Sequence, residues 1–230
     1  MCGRFFLIMT IEDLQELFGI EKSGILAPRY NIAPSQDIPA IRREGRKREL
    51  ALLRWGLIPF WAKDPKIGYR TINARGETAA VTPSFRAAFR QRRCLVPASG
   101  FFEWDKQSGS RQPYRIRRRD GQPMAFAGLW ERWQDPREGT VIESCTILTT
   151  QANKEVSRIH ERMPVILAAV DHPLWLDPEE HRPEKLQPLL RPVDDGRLVL
   201  QPVSTYVNNP RNEGEKCLEP GDESQSCGDD

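Results

Sequence analysis

Residues 36–56 read QDIPAIRREGRKRELALLRWG, and the fold is decided by how this stretch is read. Two runs containing Ile, Leu and Ala flank a charged centre at Gly45, the pattern of a β-hairpin whose turn uses a residue tolerant of positive φ. PYRIRRRDGQPMAFAGLWERW at 113–133 reads as a second hairpin, with Asp120-Gly121 as its turn. Outward from these two, strands are expected at Cys94–Ala98, Gly100–Trp104, Val141–Thr150, Met163–Val170 and Leu198–Val207. Helical signals are short. Thr10 with Asp13 three residues on, apolar Ile11, Leu14, Leu17 and Phe18, and then Gly19, predict a capped amphipathic helix of about two turns. Other helical pieces fit Glu77–Ala80, Ser84–Gln91, the segment from Asn153, and Pro183–Leu190. Many strands with short helices between them imply an α+β fold: a strand-rich single domain with an antiparallel, barrel-like sheet core and short peripheral helices.

The chain has 230 residues, enough for one sizeable core. A hydrophobic content of 39% and a mean hydropathy of −0.57 argue against an integral membrane protein. Five cysteines are too few for a disulfide-stapled miniprotein. Cys94, Cys145, Cys217 and Cys227 lack a metal-ligand spacing such as C-x-x-C, so neither disulfides nor a metal site is expected. Cys94 and Cys145 lie in apolar strand-like runs and read as buried spectators.

The formal net charge of +2 conceals a segregation. Residues 1–120 carry 23 Lys/Arg against 12 Asp/Glu, whereas residues 121–230 carry 11 against 20. From Asn208 onward there are seven acids, two bases and no aromatic residue, which reads as an acidic disordered tail over 208–230 behind a domain of 1–207. The domain is then +7, a balance that suits an anionic partner, with simple solubility as the bland reading. No secretory signal is visible, so a cytoplasmic location is expected.

Several residues have the chemistry for a site. Removal of Met1 would leave Cys2 with an α-amine and a thiol on adjacent carbons, a 1,2-aminothiol that no internal cysteine can form; the blander reading of Met-Cys-Gly alone is an accident of the start. The reference pKa values are about 8 for the amine and about 8.5 for the thiol, so each has a nucleophilic fraction near neutral pH. An aldehyde attacked by such a terminus closes to a five-membered thiazolidine; alternatively the cysteine attacks a carbonyl with its own amine as base. Asn73, Arg75 and Glu77 alternate along 69–78, where Arg75 suits a phosphate or carboxylate, unless Arg75 and Glu77 simply pair with each other. Glu103 lies between Phe102 and Trp104, a setting able to raise a carboxyl pKa or, more blandly, an amphipathic strand with Glu103 facing solvent. Of three histidines, His172 and His181 lie in stretches that look like surface, while His160 sits at a helix-to-strand junction. Trp55 and Trp61 fall among basic residues, as single-stranded nucleic acid binding requires, with Trp55 the better core candidate. Arg86, Arg90, Arg92 and Arg93, and the cluster Arg115–Arg119, are either an electrostatic footprint or solvated faces.

Taken in order, MCGR at 1–4, PRYNIAPSQ at 28–36, RWGLIPFWAKD at 54–64, TINARGET at 71–78, RCLVPASGFFEW at 93–104, LTTQAN at 148–153 and IHERMPVIL at 159–167 resemble the sequence blocks of the SOS-response-associated peptidase (SRAP) family, the abasic-site processing proteins. The likeness spans about residues 2–207. It implies that the mature Cys2 crosslinks to the ring-opened aldehyde of an abasic site in single-stranded DNA as a thiazolidine. Asn73 would orient the terminus and the sugar, and Glu103 would assist proton transfer. His160 would act as acid and base at the sugar, including any lyase-like strand cleavage. Arg4, Arg75 and Arg162 would hold phosphates with Thr149 helping, and Trp61 and Trp104 would stack or wedge. An autopeptidase activity that exposes the cysteine is also implied, although only Met1 precedes it here. The resemblance calls for no metal or organic cofactor and no membrane. The expected protein is a cytoplasmic monomer, nucleoid-associated in a bacterium. Two other readings stay open: an N-terminal-nucleophile amidohydrolase, since glutamine-dependent amidotransferases also begin Met-Cys-Gly, and a non-catalytic single-stranded DNA-binding module.

Overall fold

The computed structural model describes residues 2–21, 26–45, 47–105 and 111–221. Its strands are β1 (Phe5–Leu7), β2 (Arg29–Ile32), β3 (Asp37–Glu44), β4 (Lys47–Trp55), β5 (Asn73–Arg75), β6 (Arg93–Ala98), β7 (Gly100–Trp104), β8 (Pro113–Arg118), β9 (Met124–Gln134), β10 (Val141–Gln151), β11 (Arg162–Pro164) and β12 (Leu198–Pro202). The expected hairpin over 36–56 is present. β3 and β4 stay in register from Asp37↔Arg54 to Glu44↔Lys47, and Gly45 has the positive φ of 59° that its turn requires.

Strands β10, β4, β3, β6 and β9 follow one another in hydrogen-bonded order, and β9 pairs back onto β10, closing a five-stranded barrel. A closed ring with an odd number of strands cannot alternate direction throughout, so one neighbouring pair must be parallel. That pair is β4 with β10, and it is short, Ser144↔Arg54 and Cys145↔Trp55. Its shortness positions the site. β9 also stops pairing at Ile147, so the end of β10 projects beyond the ring. β5 runs parallel along one edge of this projection (Ile147↔Asn73 to Thr149↔Arg75), and β11 runs antiparallel along the other (Thr149↔Pro164 to Gln151↔Arg162).

A second, antiparallel sheet, β2-β1-β7-β8-β12, packs on the barrel. Phe5 meets Trp55 and Phe126 edge-on at 5.4 and 6.0 Å, and Phe101 meets Phe126 at 6.0 Å, pairs worth about 0.5–1.5 kcal/mol each beyond their buried area. Gly100 is required at the start of β7, because a Cβ there would lie 2.5 Å from the Phe6 ring and from the Ile116 carbonyl. Helix α1 (Ile11–Phe18) has both bonds of the Thr10/Asp13 capping box and ends on Gly19 in the left-handed region. α2 (Arg86–Gln91), α3 (His172–Trp175) and α4 (Pro183–Leu186) are shorter.

Several expectations are corrected. β8 and β9 are not a hairpin: β8 pairs with β7 and β12, β9 with β6 and β10, and the Asp120-Gly121 turn carries the chain from sheet to barrel. β9 is buried without a break from Met124 to Leu129, so both of its faces need cover, which the half-exposed, arginine-rich β8 does not supply. The strand expected over 163–170 ends at Pro164, whose missing N–H interrupts the ladder, and that over 198–207 ends at Pro202. Glu77–Ala80 forms turns rather than helix. His172 is buried and stacked on Phe18 at 5.6 Å, not on the surface.

Residues 208–221, expected to begin a disordered tail, are folded. Cys217 joins Phe6, Phe102, Val203 and Val207 in a second apolar cluster, and Val203 bridges to Pro220. The Asn31 amide donates to the carbonyls of Val207, Asn209 and Asn212, which pins this segment to β2. Residues 222–230 lie outside the described residues.

Candidate functional site

Cys2 precedes β1 and is fully enclosed, in one apolar cluster with Phe5 and Leu7. Its carbonyl accepts a 2.7 Å hydrogen bond from the Asn73 amide, so β5 holds the beginning of the chain against the projecting end of β10. Asn73 is buried, and its Oδ1 has no hydrogen-bond partner among the described residues. Glu103 reaches the same place from β7. The pairing Phe5↔Phe101 is extended by the Phe102 N–H donating to the Arg4 carbonyl at 2.9 Å, which sets the next residue, Glu103, beside the residues preceding Arg4. Glu103 is 4% exposed, which removes the solvent-facing reading. Burial pushes the Cys2 thiol well above its ordinary range, and the Glu103 carboxylate pushes it in the same direction.

A second group gathers around the end of β10. Arg162 places its guanidinium on both oxygens of Glu77, at 2.7 and 2.8 Å, and on the Thr149 carbonyl at 2.7 Å. This pairing holds the Glu77 carboxyl below the usual range. Glu77 therefore pairs with Arg162, not with Arg75. Arg75 is exposed, and its side chain makes no hydrogen bond or ion pair among the described residues. Thr149 is buried, its hydroxyl 3.3 Å from the Arg162 guanidinium. His160, nearly buried, presents Nδ1 to both the N–H and the carbonyl of Arg162, at 3.0 and 3.1 Å. Neutral, that nitrogen accepts from the N–H; protonated, it donates to the carbonyl, so the ring is held in either state. Asn73 and Arg75 bound the same three-residue strand, which joins this group to Cys2.

Two expected residues turn elsewhere. Arg4 donates to the Asn31 side chain at 2.7 Å and to the Val207 carbonyl at 2.9 Å, with its guanidinium 5.5 Å from the Trp104 ring centre. Trp104 donates to the Asn208 side chain at 2.7 Å. Both thus engage the C-terminal segment. Trp61 is 49% exposed and touches the structure through a 3.4 Å bond to the Pro83 carbonyl, while Trp55 is core. Phe60 and Tyr69, which residue-by-residue reading passed over, are also exposed aromatics. Asn31 was missed as well; its partners lie about 180 positions away, so no local signal marks it. Among the described residues no group of three or more His, Cys, Asp or Glu is arranged to hold a metal ion, and no helix is long and apolar enough to cross a membrane.

The model of the family described as SOS response associated peptidase (SRAP) matches residues 1–210. A Bacillus subtilis protein named abasic site processing protein YoqW is 44% identical over 223 residues, covering 95% of this chain and 99% of its own. Abasic site processing protein HMCES of Xenopus tropicalis is 32% identical over 83% of this chain and 65% of its own. Among solved structures, a Bacteroides thetaiotaomicron protein superposes with a TM-score of 0.86 at 26% identity, covering 96% of this chain and 100% of that one. A match along almost the whole chain, with the barrel and its projecting strand β10 between the matched ends, places this protein in the SRAP family.

Proposed function

We propose that this protein recognises abasic sites in single-stranded DNA and captures them covalently through the mature N-terminal Cys2. The observation that carries the reading is the 2.7 Å bond from Asn73 to the Cys2 carbonyl, which holds the terminus beside Glu103. With Met1 removed, the α-amine of Cys2 attacks the C1′ aldehyde of the opened sugar; water leaves and an imine remains. The thiol then adds to the imine carbon, its proton passes to the nitrogen, and a thiazolidine forms with no oxidant or reductant. The buried thiol is neutral at the start, so the amine acts first and the thiol follows once a base is at hand. Glu103 is that base, and the open Oδ1 of Asn73 accepts from the amine. His160 supplies the proton that opens the sugar ring and, when strand cleavage occurs, removes the one that starts it. Arg75 and Arg162 hold the flanking phosphates, Thr149 supports Arg162, and Trp61 stacks on a base. The names of the similar proteins support the choice of lesion.

Intact mass measured after mixing with an abasic single-stranded oligonucleotide tests this. The expected species survives denaturation and has the mass of the Met1-free chain plus the oligonucleotide minus one water. An adduct of equal yield from Cys2→Ala, or none from verified mature protein, sinks the reading.

A further inference from the structure

The four arginines at 86, 90, 92 and 93 do not share one role. Arg93 is buried and donates to the backbone carbonyls of Trp175, Phe89, Arg90, Asp177 and Glu180, so it is structural. Arg92 neutralises buried Glu131 at 2.7 Å. Arg86 and Arg90 are exposed at i,i+4 on α2, with no side-chain partner among the described residues. Opposite them, across a groove of about 850 Å³, stands exposed and likewise unpaired Arg132 of β9. Phe60, 58% exposed, and Trp130 also line it, with Arg42 held 4.3 Å over the Trp130 ring. Among the described residues that line the groove Glu131 is the one carboxylate, and it is already paired, so three cations face the groove uncompensated. Arg86 and Arg90 repel each other along their helix, a repulsion that a phosphate between them removes.

We infer that this groove is a second DNA contact, binding single-stranded DNA that flanks the abasic nucleotide held at Cys2. The inference rests on the proposed function for its choice of partner. A succession of backbone turns, from Thr78 onto Arg75 through Thr82 onto Thr78 and Arg86 onto Thr82, links the exposed Arg75 to the groove. At about 1.5 Å per residue for helix-like winding, the eleven steps from Arg75 to Arg86 span about 16 Å, or about five phosphates of a stacked strand. Trp61 leans on Pro83 toward the Arg86 end of this run, next to Phe60 in sequence, so aromatic rings accompany the path as well as cations. An exposed ring is useful to unstacked bases and of no use to paired ones, which selects a single strand over a duplex.

The test compares undamaged oligothymidylates of about 7 and about 20 nucleotides by fluorescence anisotropy over a salt series, for the wild type and for Arg86→Ser/Arg90→Ser/Arg132→Ser. With three contacts each worth about 0.7 in the slope of log K against log salt, the triple variant lowers the slope for the long strand by about 2 and leaves the short strand unchanged. An unchanged slope for the long strand overturns the proposal. Phe60→Ala, which removes no charge, weakens binding of the long strand without altering its slope; equal affinity overturns the stacking role. Annealing a complement to the flank abolishes the gain from length, and a gain retained in duplex overturns the single-strand assignment. Crosslinking of a short abasic oligonucleotide, run in parallel, keeps its rate in the triple variant. Its absence in the wild type counts against the proposed function and leaves the length dependence to decide the groove.

Discussion

The Asn73 side chain donates to the Cys2 carbonyl across 71 positions of chain, and its other polar atom, Oδ1, is buried with no hydrogen-bond partner among the described residues. Replacing Asn73 by Ala removes the bond to the Cys2 backbone and, in the proposed function, the acceptor for the amine. A positioning error of this kind costs about 10–100-fold in the rate of single-turnover crosslinking. Asn73→Asp does worse, because a carboxylate then faces the Cys2 carbonyl next to Glu103. Melting curves run alongside separate loss of rate from loss of fold; rates equal to wild type for both variants contradict the role given to Asn73.

Glu103 has two opposed effects on Cys2. Its negative charge pushes the thiol pKa up, and in the proposed function its carboxylate is the base for the addition step. Glu103→Gln therefore moves the pH profile of Cys2 alkylation by iodoacetamide toward lower pH while it slows crosslinking. Both readings are taken on the same Met1-free preparation, with the other cysteines monitored by peptide mapping. A variant that alkylates at lower pH and also crosslinks faster shows that Glu103 only suppresses the thiol.

His172 gives the fold an acid sensitivity of its own. Burial holds its pKa below the usual 6.5, with Arg48 acting in the same direction and the Leu167 backbone and Asp171 opposing. As pH falls below about 6.5 the unfolded chain takes up this proton and the folded chain resists it, so stability present above that pH is lost as pH drops toward the lowered value. His172→Phe preserves the ring stack on Phe18 and removes the titration. Urea midpoints at pH 7.5 and 5 are expected to differ less for the variant than for the wild type; equal differences assign the acid sensitivity elsewhere.

Two C-terminal deletions are expected to part company. Removing 222–230 takes away Asp222, Glu223, Asp229 and Asp230 and no contact among the described residues, so the melting temperature holds. Removing 208–230 takes Cys217 away from Phe6 and Phe102, the Asn209 and Asn212 carbonyls away from Asn31 and the Asn208 carbonyl away from Arg4, while the Val207 carbonyl stays. With each orphaned buried group costing about 1–3 kcal/mol, the longer deletion lowers the melting temperature sharply. Similar melting curves for the two proteins contradict the structural part given to residues 208–221.

Legibility followed the range of the interactions. The 36–56 hairpin and the Thr10/Asp13 cap were readable because every partner lies within about twenty residues of sequence. The 113–133 stretch was misread because the partners of β8 and β9, such as Leu198 and Arg93, are remote, and a polar turn looks the same whether it joins paired strands or changes sheets. Composition likewise misled at 208–221, where a few contacts, Cys217 in the second cluster and the Asn31 amide on three carbonyls, outweigh an acidic, aromatic-free sequence. Within the site, Cys2, Asn73 and Glu103 could be nominated by motif, but that Asn73 grips the Cys2 backbone depends on where β5 docks. Arg4 came from the family resemblance alone, and its engagement with Asn31 and Val207 is set by residues 27 and 203 positions later.

The enclosure of Cys2 imposes an order in time. Cys2 takes its final place only after Asn73, Glu103 and, through Arg4, Val207, all later in the chain, have docked around it. Until those segments dock, residue 2 is open to solvent; once they have, its thiol is buried. A protein slowed in folding is therefore expected to carry more oxidised Cys2 than one that folds promptly.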